Sequence, residues 1–228
     1  MKRFLCFVCL FGLTTTLAQN IGYWKDHLPY NNAIAICGYK KDLFVATEQA
    51  VFIANKTGNG LQKLSKVHGL SDVGISSLNS NSEHVVIGYS NGNVDVLEEY
   101  SVYNVPHLKN KNMLGEKRIN AISFNEEFAY LSCTFGVLEL NLNNKEINNT
   151  FLLNAAGDLT VNEIIFYNDS LFAATDSGLY KASRLDNLSD FHSWRAHNSV
   201  CKIKDLATNQ KNLFYTTDDS LFVYGKNN

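Results

Sequence analysis

The sequence predicts an all-β chain, a β-propeller of four-stranded blades, and three observations predict it. Val51, Val94, Val137, Leu179 and Leu221 stand in equivalent contexts at spacings of 43, 43, 42 and 42 residues. The segments between them are strand-like throughout, rich in aromatic and β-branched side chains. Turn residues punctuate them at a matching interval, as in Asn91-Gly92 and Ser177-Gly178, where Asn and Gly tolerate positive φ. A period of about 42 residues filled only with strands is the pattern of propeller blades.

The chain opens on a leader rather than a strand. Lys2 and Arg3 form a positive n-region, Phe4 to Leu13 an apolar stretch too short to span a bilayer, and Thr16-Leu17-Ala18 a small-residue cleavage site. Residues 1–18 therefore read as a signal peptide and 19–228 as the exported propeller, with no later run apolar enough for a membrane helix. Cys6 and Cys9 lie inside the apolar stretch without the context of a lipoprotein cleavage site.

An outer strand is expected at 20–30. Its Trp24-Lys25-Asp26-His27 matches Trp194-Arg195-Ala196-His197 in the pattern Trp, basic, any, His, 170 residues later. Repeats then follow at about 33–72, 75–106, 119–153, 161–197 and 201–228, the last incomplete. In each, the first strand carries apolar residues three apart: Ile75 and Leu78, Ile119 and Ile122, Val161 and Ile164, more loosely Ile203 and Leu206. The second strand is almost wholly apolar (Leu43 to Thr47, Val85 to Tyr89, Phe128 to Ser132, Leu171 to Thr175, Leu213 to Thr217), as expected of a strand buried on both faces. The third alternates, as in Val94-Asp95-Val96 and Val137-Leu138-Glu139-Leu140, predicting one packed and one wetter face. The fourth is the least regular: Leu61 to Leu64, Ser101 to Val105, Glu146 to Leu152 and Phe191 to His197.

The phase admits two arrangements. The strand at 20–30 closes a five-bladed ring by completing the fifth unit, or it belongs to a blade further along a longer protein and the chain is an open arc. The expectation here is the arc, about five blades of an incomplete propeller, because no atypical capping unit is visible.

Composition excludes several functions. Without Lys2 and Arg3 the chain carries 18 basic against 22 acidic residues, which argues against non-specific nucleic-acid binding. Cys37, Cys133 and Cys201 fall in different repeats without zinc-site spacing and read as small buried hydrophobes. His192 and His197, five apart on a strand, would face opposite sides and so share no metal. Asn91-Gly92-Asn93-Val94-Asp95 lacks the ligand spacing and closing Glu of a calcium loop and reads as a hairpin. Asp176-Ser177-Gly178 and Asp218-Asp219 recur at repeat-equivalent turns. The sequons at Asn55, Asn148, Asn168 and Asn187 matter only in a eukaryotic secretory pathway. No sialidase box, Gly-x-Ser-x-Gly elbow or phosphate loop is present, so no enzymatic activity and no cofactor are expected.

One segment stands out by charge. His107 to Arg118 joins the second and third units and carries Lys109, Lys111, Lys117 and Arg118 against Glu116. The plain reading is a solvated connector. The sharper one is a contact for an anionic glycan or lipid head group, since these side chains pair with phosphate and carboxylate.

These residues bring out a family likeness. Trp24-x-x-His27-Leu28-Pro29-Tyr30, Gly69-Leu70-Ser71-Asp72, Ile87-Gly88-Tyr89-x-Asn91-Gly92-Asn93-x-Asp95, Glu116-Lys117-x-Ile119-Asn120-x-Ile122, Phe135-Gly136-Val137 and Ala174-Thr175-x-x-Gly178-Leu179-Tyr180 occur in this order over nearly the whole exported chain. In this it resembles the N-terminal propellers of the PorZ family, surface components of the type IX secretion system of Bacteroidota. The resemblance implies a non-enzymatic role at the cell surface, outer membrane or periplasm. It also implies a sortase-type protein partner and anionic lipopolysaccharide as the molecule supplied to it. Family members are longer, with further blades, a second propeller and a sorting domain. The matching positions read as turn and core determinants, so no binding residue is carried over. A glycan-sensing propeller of a hybrid two-component regulator is the alternative.

Overall fold

The computed structural model describes residues 28, 31–55, 60–198, 201–209 and 211–225; the predicted leader and the predicted strand at 20–30 lie outside them, Leu28 apart. Five antiparallel sheets follow one another along the chain. The first holds β1 (Ala35–Tyr39), β2 (Asp42–Ala46), β3 (Val51–Asn55) and β4 (Leu61–Leu64). The second holds β5 (Ile75–Ser80), β6 (His84–Tyr89), β7 (Val94–Glu98) and β8 (Ser101–Val105). The third holds β9 (Ile119–Asn125), β10 (Phe128–Cys133), β11 (Gly136–Asn141) and β12 (Glu146–Phe151). The fourth holds β13 (Val161–Tyr167), β14 (Ser170–Thr175), β15 (Gly178–Ser183) and β16 (Arg195–Asn198). Among the described residues the fifth has three strands: β17 (Leu206–Thr208), β18 (Leu213–Thr216) and β19 (Leu221–Val223).

The first strand of each sheet packs on the first strand of the next, β1 on β5, β5 on β9, β9 on β13 and β13 on β17. That arrangement is a radial stack of propeller blades. No comparable packing joins β17 to β1 among the described residues, so the stack is an incomplete propeller.

Alternation along the second strands explains why they read as continuously apolar. Val85 and Ile87 on β6 pack toward Phe44, Ala46 and Ile53 of the first blade. Val86, one residue away, packs with Leu131 and Leu140 of the third. The second, third and fourth blades thus bury both faces and the two end blades one each, and four apolar clusters fill the four blade interfaces.

Polar side chains stitch the inner strands together. Ser76 Oγ donates to the Ile119 carbonyl at 2.8 Å and Asn79 Nδ2 to the Ile122 carbonyl at 2.6 Å. One blade on, Asn120 Nδ2 donates to the Val161 carbonyl at 2.8 Å and Ser123 Oγ to the Ile164 carbonyl. In the next, Asn162 Nδ2 donates to the Ile203 carbonyl at 2.8 Å. At five of the six apolar positions from Ile75 to Ile164, the residue that follows donates to a carbonyl of the next blade; Ile165, after Ile164, carries no side-chain donor.

Three expectations need correction. The third strands of the second and third blades are not wetter on one face, since Asp95 and Glu139 are both buried, whereas β3 does alternate. Each carboxylate is saturated instead. Asp95 accepts from Tyr89 Oη at 2.6 Å, the Ser71 N–H at 2.9 Å and Asn104 Nδ2 at 3.0 Å. Glu139 accepts from Tyr130 Oη at 2.9 Å, Asn148 Nδ2 at 2.7 Å and Asn149 Nδ2 at 2.8 Å. The predicted outer strand from Phe191 begins only at Arg195, because Asp190 accepts from the His192 N–H and turns Phe191–Ser193 into a 3₁₀ helix. Ile203 is fully buried but precedes β17, joined by its N–H to the Thr175 carbonyl at 2.9 Å.

Candidate binding surface

The turn-bearing end of the second blade carries a hydrogen-bonded network built from two of the sequence motifs. Gly69-Leu70-Ser71-Asp72 arrives from the first blade and meets the β6–β7 hairpin, Tyr89 to Asp95. Asp72 Oδ2 accepts from Asn91 Nδ2 at 2.7 Å and Lys109 Nζ at 2.6 Å, while the Val73 N–H reaches Oδ1 at 3.0 Å. Burial alone would raise this carboxyl; the bonds from Lys109, Asn91 and the backbone outweigh it and hold the group down at about 2. In the layer beneath, burial and the neighbouring Asp95 carboxylate push the Tyr89 phenol far upward, so Tyr89 stays a donor.

This network anchors the segment singled out by its charge. Pro106 leads into α1 (His107–Asn110), and Leu108 is buried beneath it. Gly92, at φ 83°, lets the segment approach: a Cβ there would stand 2.8 Å from Leu108 Cγ and 2.9 Å from Lys117 Cβ. The four basic residues then divide. Lys109 is committed to Asp72. Lys117 turns inward, its Nζ donating to the Lys109 carbonyl at 2.8 Å and to the Lys111 carbonyl. Lys111 and Arg118 are exposed. The structure therefore brings Lys109, Lys111 and Lys117 together around one turn of chain, but leaves two cations of the four presented outward.

Beside Lys111 lies a cleft of about 200 Å³ lined by His107, Leu108, Lys111, Phe135, Leu138, Ile147 and Thr150. Leu108, Phe135 and Leu138 form its buried floor; His107 and Lys111 stand at the mouth.

Two features escaped the sequence reading. At the opposite end, between the first two blades, Tyr100 sits at φ 69° after Glu99 at φ 47°. Its ring stacks on Phe44 (centroids 6.4 Å apart), and its Oη donates to the buried Asp42 at 2.6 Å. The contacts offset a conformation that is rare for bulky side chains. On β13, Glu163 accepts the Leu206 N–H at 2.6 Å, reaching from the fourth blade to the fifth. Burial, opposed by that bond and reinforced by Asp205, raises its carboxyl to about 7. No sequence signal marked either residue, since their partners lie 58 and 43 positions away.

The remaining candidates are structural. Asp176 pairs with Lys202 at 2.7 Å, and Asp218 pairs with Lys204. Cys37 and Cys133 are buried, and burial pushes both thiols upward; Cys201 is exposed, contrary to expectation, because it lies in the connection before β17. His192 sits in the 3₁₀ helix, not on a strand, with Nδ1 2.8 Å from Asp190. Among the described residues no three His, Cys, Asp or Glu side chains converge as a metal site would need, and no helix is long and apolar enough to cross a membrane.

With this geometry in place, comparison with known proteins is informative. Residues 43–195 match the family described as the type IX secretion system PorZ N-terminal β-propeller domain. A solved structure of PorZ from Porphyromonas gingivalis, described as an essential bacterial surface component of that system, is similar at a TM-score of 0.72 and 25% identity. The match covers 82% of this chain and 26% of that one, so this chain spans about a quarter of its length. The extracellular domain of a protein assigned as a hybrid two-component system of B. thetaiotaomicron is similar at a TM-score of 0.67 and 14% identity, covering 86% of this chain and 27% of that one. Sqt1 of Saccharomyces cerevisiae is similar at 0.60 and 19%, with 80% and 54% covered. These last two likenesses concern the fold alone. No curated protein matches the sequence.

Proposed function

Because the chain belongs to the PorZ N-terminal β-propeller domain family of the type IX secretion system, we propose that it is a non-enzymatic binding and scaffolding propeller of that machinery. It is exported to the cell surface. There it acts with a sortase-type partner and supplies the anionic lipopolysaccharide to which cargo is joined. The observation that carries this reading is the family match over residues 43–195, which takes in the whole second and third blades and most of the first and fourth.

The surface fits a presenting role better than a catalytic one. Asp72, Asp95 and Glu139 are all occupied by donors from the fold itself. Lys111 and Arg118, exposed above the second and third blades, are the cations offered to an anionic polysaccharide; Lys109 and Lys117 hold the segment that presents them. The hybrid two-component reading rests on fold likeness at 14% identity. No residue-level feature of the chain favours it.

The test is genetic. In a bacterium that runs type IX secretion, deletion of the gene should leave cargo bearing C-terminal sorting signals unanchored to surface lipopolysaccharide, and re-expression should restore anchoring. Unchanged cargo anchoring in the deletion strain would reject the assignment.

A further inference from the structure

We infer that the cleft beside Lys111 is a binding site for a short alkyl carboxylate. The inference starts from its walls. Leu108, Phe135 and Leu138 make a floor buried to 5%, 8% and 4% exposure, and Ile147 and Thr150 close one flank. An apolar cavity of about 150 Å³ is large enough to hold benzene. The ≈200 Å³ here accommodates a chain of about six to eight carbons on that scale.

The mouth sets the head group. His107 opens α1 and Lys111 caps its C-terminus, the Lys111 N–H bonded to the His107 carbonyl, and both side chains line the cleft. Lys111 has no acidic partner among the described residues, whereas Lys109 is paired with Asp72 and Lys117 is bound to carbonyls. The rim thus carries one full, uncommitted positive charge. A single lysine matches a monoanion, and a carboxylate on an alkyl chain is the amphiphile that satisfies floor and rim together. The site also has a firm base. Asp72 and Gly92 fix the segment from below, so the cleft exists before any ligand arrives.

This site shares Lys111 with the proposed polysaccharide contact and differs from it in the rest of its lining. Arg118 does not line the cleft, and Thr150 takes no part in the proposed basic contact. Calorimetric titration of the 228-residue chain with octanoate, octanol and octyl phosphate tests the inference. Octanoate should saturate the protein below ~1 mM, with octanol at least tenfold weaker and octyl phosphate no tighter than octanoate. Lys111→Glu should weaken octanoate at least tenfold and leave octanol unchanged. Thr150→Trp, which fills the cleft from an edge strand, should abolish octanoate binding, while Arg118→Glu should not alter it. Equal binding of octanoate and octanol, tighter binding of octyl phosphate, or octanoate binding that survives Thr150→Trp would each overturn the inference. Loss of octanoate binding in Thr150→Trp with lipopolysaccharide binding intact would support it and leave the secretory role standing.

Discussion

Gly88 offers the sharpest test of how the blades meet. It lies on β6 facing the third blade, in a backbone conformation open to any residue, so only space decides what it tolerates. A Cβ at this position would stand 2.3 Å from Ser77 Oγ, 2.7 Å from Ile119 Cγ2 and 2.9 Å from Ile119 Cβ. The Ser77 hydroxyl can be displaced only at a modest cost, since it is itself buried; Ile119 is β-branched, fully buried and fixed on the next blade's inner strand. Gly88→Ala must therefore push two blades apart, an overpacking that costs about 1–3 kcal/mol. For a chain of this size, 2 kcal/mol lowers Tm by about 4–8 °C.

Ser77→Ala sharpens the case. The Ser77 hydroxyl is buried without a hydrogen-bond partner, so removing it should be neutral or stabilising. The double substitution should recover about 0.5–1 kcal/mol relative to the sum of the singles, because one of the two clashes disappears. Urea unfolding reads all four proteins, and a shift in midpoint at constant slope identifies a stability change. A Gly88→Ala protein within ~0.5 kcal/mol of the parent would refute the close approach of β6 to β9, and strictly additive singles would refute the contact of position 88 with Ser77 on β5.

Three further outcomes follow from the same geometry. Asn162→Ala leaves the Ile203 carbonyl without its donor and should cost about 1–2 kcal/mol. Hydrogen exchange around β13 and β17 should rise with it, and unchanged protection there would count against the stitch. Glu163 has a folded-state pKa of about 7 against 4.5 unfolded, so the folded protein binds the extra proton and stability falls as pH rises through that window, by about 3 kcal/mol at most. Glu163→Gln should flatten that slope in pH-resolved denaturation; an unchanged slope would contradict the burial of this carboxyl. Lys109→Ala removes a half-exposed partner of Asp72 and should cost only about 1 kcal/mol. Because Asp72 is depressed to about 2, the Lys109 contribution is present above the ordinary carboxylate range and fades as pH falls toward 2, which acid titration of parent and variant would reveal.

The architecture was legible because it repeats. Val51, Val94, Val137, Leu179 and Leu221 all fall on the third strand of a blade, and the second strands of the three inner blades read as continuously apolar because both faces are covered. What the sequence concealed was pairing across repeats. The polar residues Ser76, Asn120 and Asn162 follow the pattern Ile75, Ile119 and Val161 in plain view, yet their partners are backbone carbonyls of the next blade, which leave no trace in composition. The basic segment read as four equivalent cations for a similar reason. Lys109 is claimed by an aspartate 37 residues upstream and Lys117 by two carbonyls, so only geometry separates them from Lys111 and Arg118. At Phe191 the strand pattern gave way to a local competitor, the Asp190 side chain capping its own 3₁₀ helix.

The account turns on the end of the molecule above the second and third blades being the face that meets an anionic polysaccharide. Equilibrium binding of purified anionic lipopolysaccharide to the immobilised 228-residue chain measures this directly, with a Lys111→Glu/Arg118→Glu protein alongside. Saturable binding that weakens with salt, and by at least ~tenfold in the double charge reversal, is the predicted result. An isotherm unchanged by the double reversal would contradict it.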